Sequence, residues 1–412
     1  MSSAPRPSDL TRDEGLARIR LIRSPNVGPV TFAQLLRRFG HARGALEALP
    51  DLAARGGGIR GKARPYAPVP LGQIEGEINA VRAAGARYIF HDGHDYPPLL
   101  RQVEAAPPVL IARGRADLVR AVPVALVGAR NASAAATRLA RDMARDLAEA
   151  GFPVISGLAR GIDAAAHEGA LAGRGGTFGA ASTVAVIAGG IDIAYPPEHA
   201  ALQERIAAEG LILTEAPPGV EPTNRHFPAR NRIIAGIAAG TVVVEAALKS
   251  GSLITARLAG DYGREVMAVP GSPLDPRSHG CNEMIREGAI LVQGAADIIE
   301  LVTSFDGVPR SHFHEEGEAF DFGGADYALG GPRTLPEGAL DWDEPEMREM
   351  AEDEARDCGG EVLAMLAIAP VSVDEIVRQT GISAAQVQMV LVELELSGAV
   401  IRHAGGRVSL SV

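Results

Sequence analysis

Cysteine is almost absent from this chain of 412 residues: only Cys281 and Cys358 occur, far apart and outside any CxxC spacing. That excludes a disulfide framework and a cysteine-rich zinc site. Lysine is equally scarce, with Lys62 and Lys249 the only two, so nearly all of the 40 cationic side chains are arginine. Arginine suits bidentate phosphate recognition, although genome composition accounts for such a bias equally well. Aromatic residues make up 4% of the chain, with a single tryptophan. No stretch approaches the ~18 uninterrupted apolar residues of a membrane span. The opening MSSAPRPSDLTRDEG has no apolar segment behind a basic start, so no secretory signal is expected. A cytoplasmic protein with no membrane partner is the expectation. Hydrophobic residues at 46% and charged residues at 22% describe an ordinary globular balance. The length predicts two to three domains.

The net charge of -11 is unevenly spread. Residues 1–120 carry 18 Lys and Arg against 11 Asp and Glu, whereas residues 303–360 carry 4 against 16. The latter stretch is rich in glycine, proline and acid and has no apolar period, the composition of a self-repelling linker. The formal charge therefore says little about the folded parts. Four segments follow: a small helical domain over 1–85, an α/β core over 86–303, the acidic linker over 304–354 and a terminal unit over 355–412.

In the first segment, Leu16, Ile19, Leu21 and Ile22 precede the turn Ser24–Pro29, and Phe32, Leu35, Leu36 and Phe39 resume at helical spacing. Such a helix–turn–helix can hold a phosphate on the turn's amides or serve only as a packing hairpin. In the second segment, short apolar strands alternate with helical stretches, the pattern of right-handed crossovers in a Rossmann-like, doubly wound and mostly parallel sheet. The strands are read at 109–112, 122–127, 153–156, 184–188, 211–214, 242–245, 265–269 and 289–292. The terminal unit reads as helices at 361–368, 372–379 and 383–396 followed by a β-hairpin, the winged-helix order. From residue 361 onward its only cations are Arg378, Arg402 and Arg407, so a protein-interaction wing is favoured over a DNA-reading one.

Ligands of such sheets bind outside the carboxyl ends of the strands, so the residues just after each strand carry the functional reading. After Val127 comes Gly128-Ala129-Arg130, where a dinucleotide fingerprint would place a second glycine. Arginine there blocks close approach of a pyrophosphate and offers donors to a phosphate from outside, which argues against NAD or FAD. The next strand ends in Ser156-Gly157-Leu158-Ala159-Arg160-Gly161, followed by Asp163 and His167 on one helix face. Those two are either an acid–base pair or, by capping preference, a helix cap with a buried histidine. Tyr195 after the third strand can stack on a base or simply pack. The fourth turn is densest: Arg225, Phe227, Arg230, Asn231 and Arg232 combine phosphate donors with a stacking platform. Alternatively Arg230 and Arg232 form ion pairs that hold loops. The fifth turn, Lys249-Ser250-Gly251-Ser252, opens a helix as a small anion cradle but lacks the GxxxxGK[ST] order, so no ATPase is implied. Glu215 and Glu245 end strands, and hydrogen bonding to the arginines is the simpler reading of both. No nucleophile–base set, metal cluster or cofactor fingerprint emerges.

In order and spacing, VGAR, SGLARGIDAAAH, AGGIDIAYP, TEAPPG, HFPARNRIIAG, VVVEAALKSGSLITARLA and EVMAVPGSP closely resemble the DprA/Smf family of DNA-processing proteins. The resemblance covers about 105–303. It implies a SAM-like or helix-hairpin-helix domain before the core and a winged helix after it. It further implies a non-enzymatic homodimer that binds single-stranded DNA, protects incoming strands in natural transformation and helps load RecA onto them, with no cofactor. Carried over by position, the DNA site is Gly128, Arg130, Ser156, Gly157, Arg160, Gly161, Arg225, Phe227, Arg230, Asn231, Arg232 and Lys249 to Ser252. Two positions depart from the family's frequent pattern: Pro197 stands where a lysine often follows the third turn's Tyr-Pro, and Ala129 where serine is frequent. The alternative class is a Rossmann-type nucleotide-processing enzyme of the phosphoribohydrolase kind. Its Gly-rich turn carries a glutamate that KSGSLITA lacks. A third reading makes the chain chiefly an adaptor.

Overall fold

A computed structural model describes residues 10–59, 65–173, 182–303, 358–403 and 405–411. The linker read at 304–354 lies outside the described residues. The chain divides into two units, one of residues 1–48 and 67–313 and one of residues 49–66 and 314–412.

The first unit is organised around nine strands: β1 (Arg87–Phe90), β2 (Val109–Gly114), β3 (Val124–Val127), β4 (Val154–Ser156), β5 (Thr183–Val186), β6 (Leu211–Thr214), β7 (Gly240–Val243), β8 (Glu265–Ala268) and β9 (Ile290–Leu291). Their order across the sheet is β1-β2-β6-β5-β4-β3-β7-β8-β9. The run from β6 to β9 is parallel, and β2 and β1 run antiparallel at one end. The chain winds outward from β3 through β4 and β5 to β6, then crosses back to place β7 against β3. That reversal makes the crevice between β3 and β7 the topological switch point, where ligands of open parallel sheets bind.

Alternation fixes the two faces. Val124 and Leu126 of β3 and Val242 of β7 join one buried cluster, in which Met143 and Leu147 of the helix Ala134–Glu149 also sit. Ala125 and Val127 of β3 and Val243 of β7 join the cluster on the other face, with Ile233, Ile234 and Leu253. Both faces are covered, which is why these strands read as unbroken apolar runs. The segment at 87–90 has no such run, since only Ile89 is buried in it, and it reads from sequence as a mere approach to the core. It forms an edge strand on β2.

Four helices lie ahead of or beside this sheet in sequence: Arg12–Arg23, Pro29–Phe39, the start of Ala42–Ile59, and Leu71–Ala83. Arg18 reaches Asp92 at 2.7 Å and Arg23 reaches Glu77 at 3.0 Å, and Arg23 Nη1 also donates to the Glu215 carbonyl at 3.2 Å.

The second unit has the winged-helix order. Helices Cys358–Met365, Val373–Thr380 and Ala384–Leu396 accompany an antiparallel sheet of β10 (Val371–Ser372), β11 (Val400–His403) and β12 (Arg407–Leu410), ordered β10-β12-β11. Ser383 and Gln386 form a reciprocal capping box at the start of Ala384–Leu396. Gly381, at φ 67°, ends the preceding helix in the left-handed region that glycine enters freely. Residues 49–66 belong to this unit: Ile59 packs on its core and Arg55 pairs with Glu393 at 3.1 Å.

Leu126, fully buried in central strand β3, is the position where truncation is most legible. Leu126→Ala should lower unfolding stability by about 2–5 kcal/mol, the range for an uncollapsed core cavity. Chemical denaturation checks it, and a loss under about 1 kcal/mol would contradict this packing.

Candidate nucleic-acid interface

Because β3, β4, β5, β6 and β7 run in one direction, the segments that follow them share one edge of the sheet. Three cavities lie there, one of about 290 Å³ beside the segments after β5 and β6 and two that carry the residues singled out from sequence. A groove of about 700 Å³ is lined by residues of the turns after β3 and β7 and by the helix His226–Ile237, among them Arg130, Asn131, Asn231, Lys249 and Ser250 to Ser252. A smaller cavity of about 150 Å³ is lined by Arg130, Arg160, Tyr195, Pro196, Pro197 and Phe227. Arg130 and Phe227 line both, with the guanidinium 4.9 Å from the ring centroid. Tyr195 also neighbours Phe227, tilted at a centroid distance of 5.7 Å, and is 45% exposed. A planar cation and two partly open rings form a ridge suited to stacking.

Each turn is held by a specific device. The turn after β3 is anchored by Glu245, whose carboxylate accepts from the Ser133 backbone N–H at 2.9 Å and from its hydroxyl at 2.6 Å. Ser133 in turn caps the helix Ala134–Glu149 by accepting from Ala136 N–H. Glu245 is thus structural, but its partner is a serine rather than an arginine. Gly161, at φ 76°, brings the second turn against the first: a Cβ there would stand 2.3 Å from the Ala129 carbonyl.

The Asp163–His167 pair is also structural. Asp163 lies in the first turn of the helix Ile162–Ala172, whose N-cap is Gly161. Its carboxylate does not cap that helix but accepts from Gly157 N–H at 3.2 Å and Ala159 N–H at 3.3 Å. Burial pushes its carboxyl up, opposed by Arg230 and those two amides. Thr183 Oγ1 donates to the Val154 carbonyl at 3.1 Å, so its 2.8 Å contact with His167 Nδ1 has the ring nitrogen as donor. Nε2 accepts from Leu158 N–H at 3.3 Å. Both nitrogens are committed with the ring neutral, and burial together with Arg230 depresses its pKa to about 3.

Arg230 forms the floor. It is 6% exposed, lines both cavities, and donates through Nη1 to the Val186 carbonyl at 3.0 Å. It passes over Gly157 so closely that a Cβ there would lie 1.4 Å from Nη1. Burial lowers its pKa while Asp163 opposes that shift.

The residues singled out from sequence therefore separate into three groups. Arg130, Arg160, Phe227, Asn231, Lys249, Ser250, Gly251 and Ser252 line the two cavities. Gly128, Gly157 and Gly161 shape the backbone beneath them, Gly128 through the closeness of Ile162 and the Glu245 carbonyl. Two need correction as direct contacts, Ser156 and Arg232. Ser156 is fully buried and its hydroxyl donates to the Leu126 carbonyl at 2.7 Å. Arg232 is taken up by Glu215 at 2.6 Å and by the Ala105 carbonyl. Arg225 is exposed at the N-cap of His226–Ile237 and lines neither cavity.

Sequence reasoning missed Arg277, which lines the larger groove and is paired with Asp275 at 2.9 Å. It sits in the segment after β8, so the strand-end rule that found the other turns pointed to it as well. Among the described residues, Arg130 and Lys249 have no acidic side chain within 4.0 Å. The acidic residue lining these two cavities, Asp163, is committed to backbone amides. The arrangement offers cations, small hydroxyls and rings, and no uncommitted carboxylate for acid–base work. Among the described residues no cluster of His, Cys, Asp and Glu could hold a metal ion, and no helix is long and apolar enough to cross a membrane.

Two outcomes test this construction. Gly157→Ala should displace Arg230 and cost about 1–3 kcal/mol, the range for forced overpacking, read by urea unfolding. For His167, the unfolded chain takes up below pH 6.5 a proton that the native ring refuses down to about 3. Its contribution is complete above pH 6.5 and declines as the pH falls, by up to about 1.4 kcal/mol per pH unit. Asp163 acts in the opposite sense, because its carboxyl is held above its ordinary value. His167→Asn should therefore flatten the fall of the thermal midpoint between about pH 7 and 4; an unchanged slope would refute the neutral ring.

Residues 87–303 match the family model described as DNA recombination-mediator protein A. Residues 12–80 match the DprA-like N-terminal HHH domain and residues 346–406 the DprA winged helix domain. Protein Smf of a Synechocystis species is 33% identical over 399 residues, spanning 92% of this chain and 95% of its own length. DNA processing protein DprA of Streptococcus pneumoniae is 43% identical over 204 residues, 50% of this chain and 70% of that protein. The X-ray structure of the DprA protein from Streptococcus pneumoniae aligns with a TM-score of 0.56 at 33% identity, covering 71% of this chain and 98% of that one. With one model matched across more than half its length and a relative aligned nearly end to end, the chain belongs to the DprA/Smf family of DNA-processing proteins.

Proposed function

We propose that the chain is a non-enzymatic recombination mediator that binds single-stranded DNA along the edge formed by the turns after β3, β4 and β7. The observation that carries this reading is the coexistence, on one rim, of Arg130 and Lys249 without acidic partners and the Tyr195–Phe227–Arg130 stack. Unpaired cations hold a phosphate chain, and open rings accept any base, so affinity is expected without sequence preference. Ser250, Gly251 and Ser252 at the start of the helix Ser252–Asp261 add small donors on which phosphate oxygens can rest.

On this reading the family resemblance supplies the setting: a cytoplasmic homodimer protects incoming strands in natural transformation and helps load RecA onto them. The family model matched by residues 87–303, described as a recombination mediator, supports the mediator role.

Fluorescence anisotropy with labelled oligonucleotides over a salt series tests the binding. Affinity should fall with salt with a slope of about -0.7 per neutralised phosphate. Arg130→Ala and Lys249→Ala should each weaken binding to all sequences alike and reduce the slope by about one such increment. Equal binding by wild type and both variants would refute the site.

A further inference from the structure

The two cavities do not present their arginines equally. Among the described residues Arg130 has no acidic partner, but Arg160, on the rim of the smaller cavity, is engaged by Glu198 through a charge-assisted hydrogen bond from Nε. Both side chains are open to solvent, at 63% and 47% exposure, so the pair is accessible to an incoming anion.

Glu198 is not a loosely placed surface acid. It sits in a short 3-10 turn, Pro197–His199, entered through Pro196 and Pro197, whose rings fix the backbone. The His199 N–H donates back to the Pro196 carbonyl at 2.9 Å. His199 Nδ1 then donates to the Leu158 carbonyl at 3.0 Å, which ties the glutamate's turn to the turn that carries Arg160. Gly161 locks that second turn from the other side. Carboxylate and guanidinium are therefore presented to each other by two segments fastened together.

We propose that Glu198 is an internal competitor for phosphate at Arg160, and so a residue that sets the affinity of the site for single-stranded DNA. A carboxylate and a phosphate oxygen make the same kind of bond to a guanidinium. A phosphate that takes the Nε donor of Arg160 displaces Glu198, which then recovers its own counterion. Arg160 thus contributes less to net affinity and to the salt slope than an unpaired arginine does. This rests on the reading of the rim as a single-stranded-DNA site.

The test is a double-mutant cycle by anisotropy on the full chain with an oligothymidine probe. Glu198→Gln should tighten binding about 2- to 5-fold, the scale of an exposed ion pair, and steepen the salt slope by about 0.7. In an Arg160→Ala background the same change should have no effect. An equal gain in that background would show a general charge effect and overturn the proposal, as would wild-type affinity in Glu198→Gln. Thermal melting of each variant checks that the fold is kept. Loss of the proposal leaves Arg130→Ala and Lys249→Ala still weakening binding, whereas absence of wild-type binding overturns the site reading itself.

Discussion

A guanidinium buried beneath a sheet edge is the constraint around which this molecule is arranged. Arg230 has to enter the interior from the helix His226–Ile237, and the space for it exists only because position 157 carries no side chain. Its charge is tolerated because Asp163 faces it and the Val186 carbonyl accepts from it. Asp163 in turn holds the amides of Gly157 and Ala159, so the same carboxylate balances the arginine and shapes the turn over which the arginine passes. Burying one charge without the other costs several kcal/mol. The sequence therefore couples a glycine and an aspartate of one turn with an arginine of a distant helix into one unit.

That coupling divides the arginines by task. Arg18, Arg23 and Arg232 are staples, each closed on a carboxylate and at least one backbone or second acidic oxygen. Arg160 and Arg277 are paired at the surface, where solvent weakens the pairing and leaves it exchangeable. Arg130 lies over an aromatic face with no acidic partner among the described residues. A net charge of -11 carries no information about this partition. What matters locally is which cations have already been neutralised by the fold.

The fold was legible because buried parallel strands announce themselves as apolar runs, and six of the nine strands are of that kind. The placement of the functional edge was legible for the same reason, since strand direction alone sends successive turns to one side. Individual side-chain roles were less so. Composition near residue 230 cannot distinguish Arg230, sunk under the sheet, from Arg232, drawn off by Glu215, because both partners arrive from distant strands. Ser156 looks like a loop donor, yet its hydroxyl returns to the Leu126 carbonyl inside the sheet. Arg277 was passed over because the proline-rich segment around it carries no glycine–arginine motif. Asp163 and His167 fit either catalysis or architecture by spacing, and only the hydrogen-bond directions decide between them.

The antiparallel entry of β2 beside β6 also has a bearing on where the cationic strip stops. A parallel neighbour would bring an outgoing turn to that edge, together with the donor-bearing N-terminus of the helix that follows it. A strand of opposite polarity brings an incoming segment instead, with no helix N-terminus following it there, and a backbone carbonyl of that segment is free to take up a donor. Ala105, just ahead of β2, does this to Arg232. Reversing one ribbon thus draws the boundary of the donor-rich margin without any repulsive side chain, leaving its direction of growth toward β7 and β8.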